Sequence, residues 1–172
     1  LNRLAELYKP KKITPAEFQF VDIAPHEGGD DQKALDAAAL NALKPVEALV
    51  HVVRAFESST VVHPLGGVNP ARDGQALEDE LQLSDLIIIE RRLERLHKEG
   101  KKDREVDLLE KCKAHIEDGR PLRTLEMNQQ EAREIAGFCF LSLKPMMLLG
   151  NYGDDAIGSG DPARLQAFAQ QK

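Results

Sequence analysis

Two short stretches end in side chains that can handle phosphates and bases. Phe20-Val21-Asp22-Ile23-Ala24 brings a carboxylate to the end of an apolar run, and Leu148-Leu149-Gly150-Asn151-Tyr152-Gly153-Asp154 brings an amide and a second carboxylate. A carboxylate such as Asp22 can hold Mg²⁺ through bound water, because magnesium takes oxygen ligands and keeps several waters. The donors and acceptors of Asn151 and Asp154 can match a purine edge. In open α/β sheets, ligands bind outside the carboxyl ends of the strands. Each stretch also has a plainer reading: Asp22 as the cap of a turn, and Asn-x-Gly-Asp as the turn itself. His26 can position a water, donate to a phosphate, or simply stand exposed in a loop. His51 lies within an apolar run and reads as a packed core histidine, while His63 before Pro64 says nothing by itself.

A different chemistry is offered by Arg91, Arg92, Arg95, Lys98, Lys101, Lys102 and Arg104, which crowd into one charged block. In a chain of net charge −6, such a cluster reads as an RNA- or ribosome-facing surface. Interleaved Glu90, Glu94, Glu99, Asp103 and Glu105 support the other reading, a solvated helix face laced with local ion pairs. The overall acidity argues against a chain that binds polyanions along its whole surface. Sparse aromatics and the absence of tryptophan argue against an aromatic platform for stacking bases.

The elements that would position these residues follow from periodicity. Leu1, Leu4, Leu7 and Tyr8 share a helical face that Lys9-Pro10 ends. Residues 13–24 read as a strand with β-favouring Phe18, Phe20 and Val21. A loop with a proline, two glycines and three acids fills 25–31, and an alanine-rich helix fills 33–43. Residues 48–56 form a nearly continuous apolar strand of the kind covered on both faces. After an irregular connection, 73–118 carries only two charged helical stretches around Gly100. Leu86, Ile89, Leu93 and Leu96 recur in the first, and Val106, Leu109, Cys112 and Ile116 in the second. The short break, with Asp103 as N-cap, predicts an antiparallel hairpin. A short helix with an Asn cap at 128–136, a strand ending at Asn151 and a last helix from Asp161-Pro162 to Phe168 complete the pattern.

Strands separated by helices predict an α/β sheet, and the helical block within them an insertion. Cys112 and Cys139, far apart in unlike contexts, read as small buried hydrophobes. No apolar run approaches the roughly 20 residues that cross a bilayer, and the first residues lack a signal-peptide pattern, which makes a cytoplasmic location the expectation.

Taken together, these segments resemble the YchF family of Obg-like ATPases, P-loop NTPases related to translation factors. The resemblance is carried by Leu4-x-x-Leu7-x-Lys9-Pro10, Phe20-Val21-Asp22-Ile23-Ala24, His51-Val52-Val53-Arg54-Ala55-Phe56-Glu57 and Val62-His63. It continues through Glu80-Leu81-x-Leu83-x-Asp85-Leu86 and Phe140-Leu141-x-Leu143-Lys144-Pro145. It covers nearly the whole chain in the family's order. It implies part of a G-domain with a mostly parallel sheet (1–72 and 120–172) and an inserted antiparallel helical coiled coil (73–119). It further implies a purine nucleotide, ATP or GTP, with Mg²⁺ in the parent protein, and a ribosome or translation-associated RNA as partner. Asp22 then organises Mg²⁺ through water, Asn151, Tyr152 and Asp154 face the base, and Lys98, Lys101 and Lys102 at the hairpin tip face the partner.

The chain departs from the family pattern at two places. The second-switch motif is Asp-x-x-Gly-hydrophobic; here Pro25 replaces the glycine and His26 the hydrophobic residue. Proline has no N–H to donate to a terminal phosphate. The base motif is Asn-x-x-Glu, and here Asp154 supplies an acid one methylene shorter. The resemblance also implies a fragment that starts after the Walker A loop and stops before the C-terminal TGS-type domain, so no cofactor is expected for this stretch by itself. Two functions from different classes remain: part of a nucleotide-hydrolysing machine, or a non-hydrolysing pseudo-NTPase acting as a binding module through its coiled coil.

Overall fold

The computed structural model describes residues 2–23, 35–63, 65–153 and 169. Its elements run α1 (Asn2–Tyr8), α2 (Ala37–Leu43), β1 (Leu49–Arg54), α3 (Pro70–Lys98), α4 (Arg104–Glu117), α5 (Gln129–Ile135) and β2 (Met146–Asn151). The strands form a parallel pair, with Leu49 opposite Met146 and Arg54 opposite Asn151. Parallel strands need a long crossover, and here α3, α4 and α5 supply it. The two strands therefore end together, although nearly a hundred residues separate them in sequence.

Local chemistry sets the helix boundaries. Asp36, Asn69, Asp103 and Asn128 each stand at an N-cap and accept from backbone N–H groups of the first turn. Asn128 and Glu131 close a reciprocal capping box. Pro70 occupies the first turn of α3, where a missing N–H costs nothing. Gly100 closes the α3 end with φ of 69°, a left-handed conformation that glycine adopts without strain.

The hairpin forms as its spacing predicts. Ile89, Leu93 and Leu96 of α3 pack with Val106, Leu109, Cys112 and Ile116 of α4, with Leu86 half-buried beside them. Leu122, Ile135 and Phe140 share that core, so α5 and its flanks lie along the helix pair. Salt bridges Arg104–Glu134 and Lys111–Glu131 join α4 to α5. A second, smaller core of Leu49, Leu81 and Leu141 fixes the first part of α3 to the strands.

Two buried carboxylates fasten these layers. Asp85 of α3 accepts from the backbone N–H groups of Leu141 and Ser142 at 2.8 and 2.7 Å and from the Ser142 hydroxyl at 2.7 Å. Glu78 binds both terminal nitrogens of Arg123 at 2.6 and 3.0 Å, while Arg123 Nε donates to the Lys144 carbonyl. Both links grip the segment that leads into β2, and so set the height at which Asn151 emerges.

Three expectations are corrected. Residues 13–23 carry no strand, and Phe18 and Phe20 are 82% and 85% exposed. Their β-favouring bulk has no hydrogen-bonded neighbour among the described residues, and propensity without pairing does not make a strand. The β1–β2 pair is not covered on both faces by the described residues, because Val50, Val52, Met147 and Leu149 point outward and are exposed. Cys112 is buried as expected, but Cys139 is exposed, at φ of 53° in a left-handed turn. The expected last helix to Phe168 lies outside the described residues.

Candidate functional site

The carboxyl ends of β1 and β2 converge on Arg54 and Asn151, which face each other in register. Ala55 N–H donates to the Asn151 carbonyl at 2.7 Å and extends the ladder by one bond. The Asn151 side chain is therefore carried on a paired backbone, with the residue exposed at the strand end. Tyr152 and Gly153 follow, both half-buried. Asp154, the acid expected to complete the motif, lies outside the described residues.

Arg54 organises the neighbouring loop. Its Nε donates to the Phe56 carbonyl at 3.0 Å and its Nη2 to the Val61 carbonyl at 3.0 Å. The guanidinium also lies over the Phe56 ring, 4.7 Å from its centre. Phe56 meets the other strand's exit: its β-carbon is 3.4 Å from where a side chain on Gly153 would begin. The two strand ends thus share one packed rim.

Further along the same connection, His63 Nε2 stands 3.0 Å from Asp73 Oδ2. The Leu65 N–H donates to His63 Nδ1 at 3.2 Å, which holds the ring with its other nitrogen facing the Asp73 carboxylate. Arg72 donates to Asp73 and to the carbonyls of Leu65 and Gly67. The sequence reading found neither the Arg54–Phe56 nor the His63–Asp73 arrangement. Arg54, Phe56 and His63 fall within the quoted motifs and Asp73 does not, and the contacts cross loops that periodicity does not describe. His51, expected in the core, is half-buried in β1, and burial lowers its pKa from the ordinary histidine value.

Asp22 is exposed on a coil segment and, among the described residues, has no hydrogen-bonded or ion-paired partner. No group of three or more His, Cys, Asp or Glu side chains among the described residues could cage a metal ion. A lone accessible carboxylate suits a hold on Mg²⁺ through water better than direct coordination by several side chains. Pro25 and His26 lie outside the described residues. At the hairpin end, Lys98, Lys101 and Lys102 are all exposed; Lys98 pairs with Glu94 at 2.6 Å and Lys101 with Glu99 at 3.1 Å. The local ion pairs of the second tip reading are thus present.

A parallel sheet with polar strand ends, crossed over by long helices, is the architecture of a P-loop G-domain. The structure matches that of the Schizosaccharomyces pombe YchF GTPase with a TM-score of 0.81 and 26% identity, over 99% of this chain and 49% of that one. The chain is homologous to the ribosome-binding ATPase YchF of Escherichia coli O157:H7, at 38% identity over 91% of its length. It is likewise 35% identical to the Haemophilus ducreyi YchF over its whole length and 32% identical to Obg-like ATPase 1 of Oryza sativa subsp. indica over 88%. The resemblance carried by the sequence motifs is thus borne out. The chain spans about half the length of the curated relatives it matches, 45% of the first and 49% of the second named here. No family model matches the chain.

Proposed function

We propose that this chain is the central stretch of a purine-nucleotide-binding P-loop NTPase of the YchF and Obg-like type that works in association with the ribosome. Residues 1–72 and 120–172 belong to its G-domain, and 73–119 form the inserted hairpin. Asn151, Tyr152 and Asp154 face the base, and Asp22 holds Mg²⁺ through water. When bound, that ion neutralises charge on the nucleotide phosphates. Lys98, Lys101 and Lys102 meet the ribosome or an RNA bound to it.

The observation that carries this reading is the parallel register that ends both strands together at Arg54 and Asn151. An amide presented there has a fixed backbone and an accessible side chain, which base recognition requires. The relatives are named ATPases and GTPases, and several are named ribosome-binding.

A second reading is favoured by Pro25, which stands where the family carries a glycine. Without an N–H at that point the protein loses one donor to the terminal phosphate, and a non-hydrolysing module that binds nucleotide or only its partner results.

Titration of the full-length protein with ATP and GTP in the presence of Mg²⁺ tests the first reading. Saturable binding that weakens about tenfold in Asn151→Ala supports it, a loss of the size expected for removing one hydrogen bond to the base. Binding that is indifferent to Asn151 contradicts the base assignment. Saturable binding without turnover, with turnover appearing in Pro25→Gly, selects the second reading.

A further inference from the structure

We propose that Arg54 is a positioning residue for the base end of this site, fixing the loop after β1 against Asn151-Tyr152-Gly153; the inference rests on the purine-site reading above. One guanidinium grips three points of the loop: the carbonyls of Phe56 and Val61, each at 3.0 Å, and the face of the Phe56 ring at 4.7 Å. The loop between these points is stiffened from within, since the Ser58 hydroxyl accepts from the N–H groups of Thr60 and Val61 at 3.3 and 3.1 Å. On the far side, the Ala55–Asn151 backbone bond and the Phe56–Gly153 approach tie the loop to the exit of β2.

The chemistry of arginine is needed for this grip. A planar fork can donate in two directions while its face lies on an aromatic ring, whereas a lysine ammonium acts as a point charge and cannot span both carbonyls. Removing the guanidinium leaves two carbonyls without this donor and frees the backbone between them. Phe56 then loses its fixed place beside Gly153, and the wall of the site next to Asn151 becomes variable. Such a change penalises a ligand that carries a base and spares one that carries only phosphates. Arg54 itself need touch neither.

Arg54→Met and Arg54→Lys in the full-length protein provide the test, with two readouts. Amide hydrogen exchange over 55–61 is measured without nucleotide, and dissociation constants are measured for ATP, GTP and inorganic tripolyphosphate with Mg²⁺. The expected result for Arg54→Met is faster exchange in the loop and purine affinities weakened about tenfold. Tripolyphosphate affinity should stay unchanged, and Arg54→Lys should fall between the two. Unchanged purine affinity in Arg54→Met overturns the proposal, as does an equal loss for tripolyphosphate, which signals general damage. The purine-site reading fails separately, in the unsubstituted protein, if tripolyphosphate binds as tightly as ATP.

Discussion

At the residue scale, the most constrained side chain is Asp85. It is fully buried in α3, yet its two oxygens accept three hydrogen bonds from Leu141 and Ser142. Burial pushes its carboxyl above the ordinary value of 3.8, with those three bonds and the charge of Arg123 pulling the other way. Asp85→Asn keeps the shape but turns an amide toward N–H donors, and should cost about 2 kcal/mol of stability, measured by denaturant unfolding. An acid whose pKa is raised by folding binds its proton more readily in the folded state. Its contribution is full below 3.8 and is lost as pH rises through the folded value. The stability gap between the unsubstituted protein and Asp85→Asn should therefore narrow as pH climbs above that point. A gap that widens would show that the three hydrogen bonds outweigh burial. Asp85 was visible in the sequence only as one residue of the motif Glu80-Leu81-x-Leu83-x-Asp85-Leu86. Its partners, more than fifty residues away, were not.

At the scale of elements, legibility followed the range of the interactions that decide each one. Helix caps at Asp103 and Asn128 and the interlocking apolar rows of α3 and α4 are local or periodic, and the sequence reading placed them. The stretch 13–23 had the right residues for a strand, but strand formation depends on a neighbour, which composition does not supply. Exposure of Cys139 escaped because it sits at φ of 53° in a left-handed turn between α5 and β2, a connection that periodicity does not describe.

The hairpin tip is an element in its own right. Lys98 and Lys101 pair with Glu94 and Glu99 in exposed contacts, and such pairs contribute little to stability. Charge reversal at Lys98, Lys101 and Lys102 should thus leave folding nearly intact. Co-sedimentation of the full-length protein with ribosomes should weaken, and its salt dependence should become shallower. Nucleotide affinity should not change. Undiminished co-sedimentation in the triple variant would remove the tip from the partner surface.

At the scale of the whole molecule, the long crossover through α3, α4 and α5 does two jobs. It brings two distant apolar runs into parallel register, and it carries a charged hairpin away from the place where those runs end. The order of the helices from α2 to α5 and of the two paired strands was readable in the sequence; the pairing of Arg54 with Asn151 was not, because register emerges from the buried anchors at Asp85 and Glu78. No helix among the described residues is long and apolar enough to cross a membrane. In the proposed function, the base of a purine nucleotide sits at the joint end of β1 and β2. Photolabelling of the full-length protein with 8-azido-ATP, followed by mass spectrometry of the labelled peptides, tests it most directly. Label is expected on the loop 55–61 or on Asn151-Tyr152-Gly153, suppressed by excess ATP. Competable label confined to the hairpin, with the two strand ends unmodified, would contradict it.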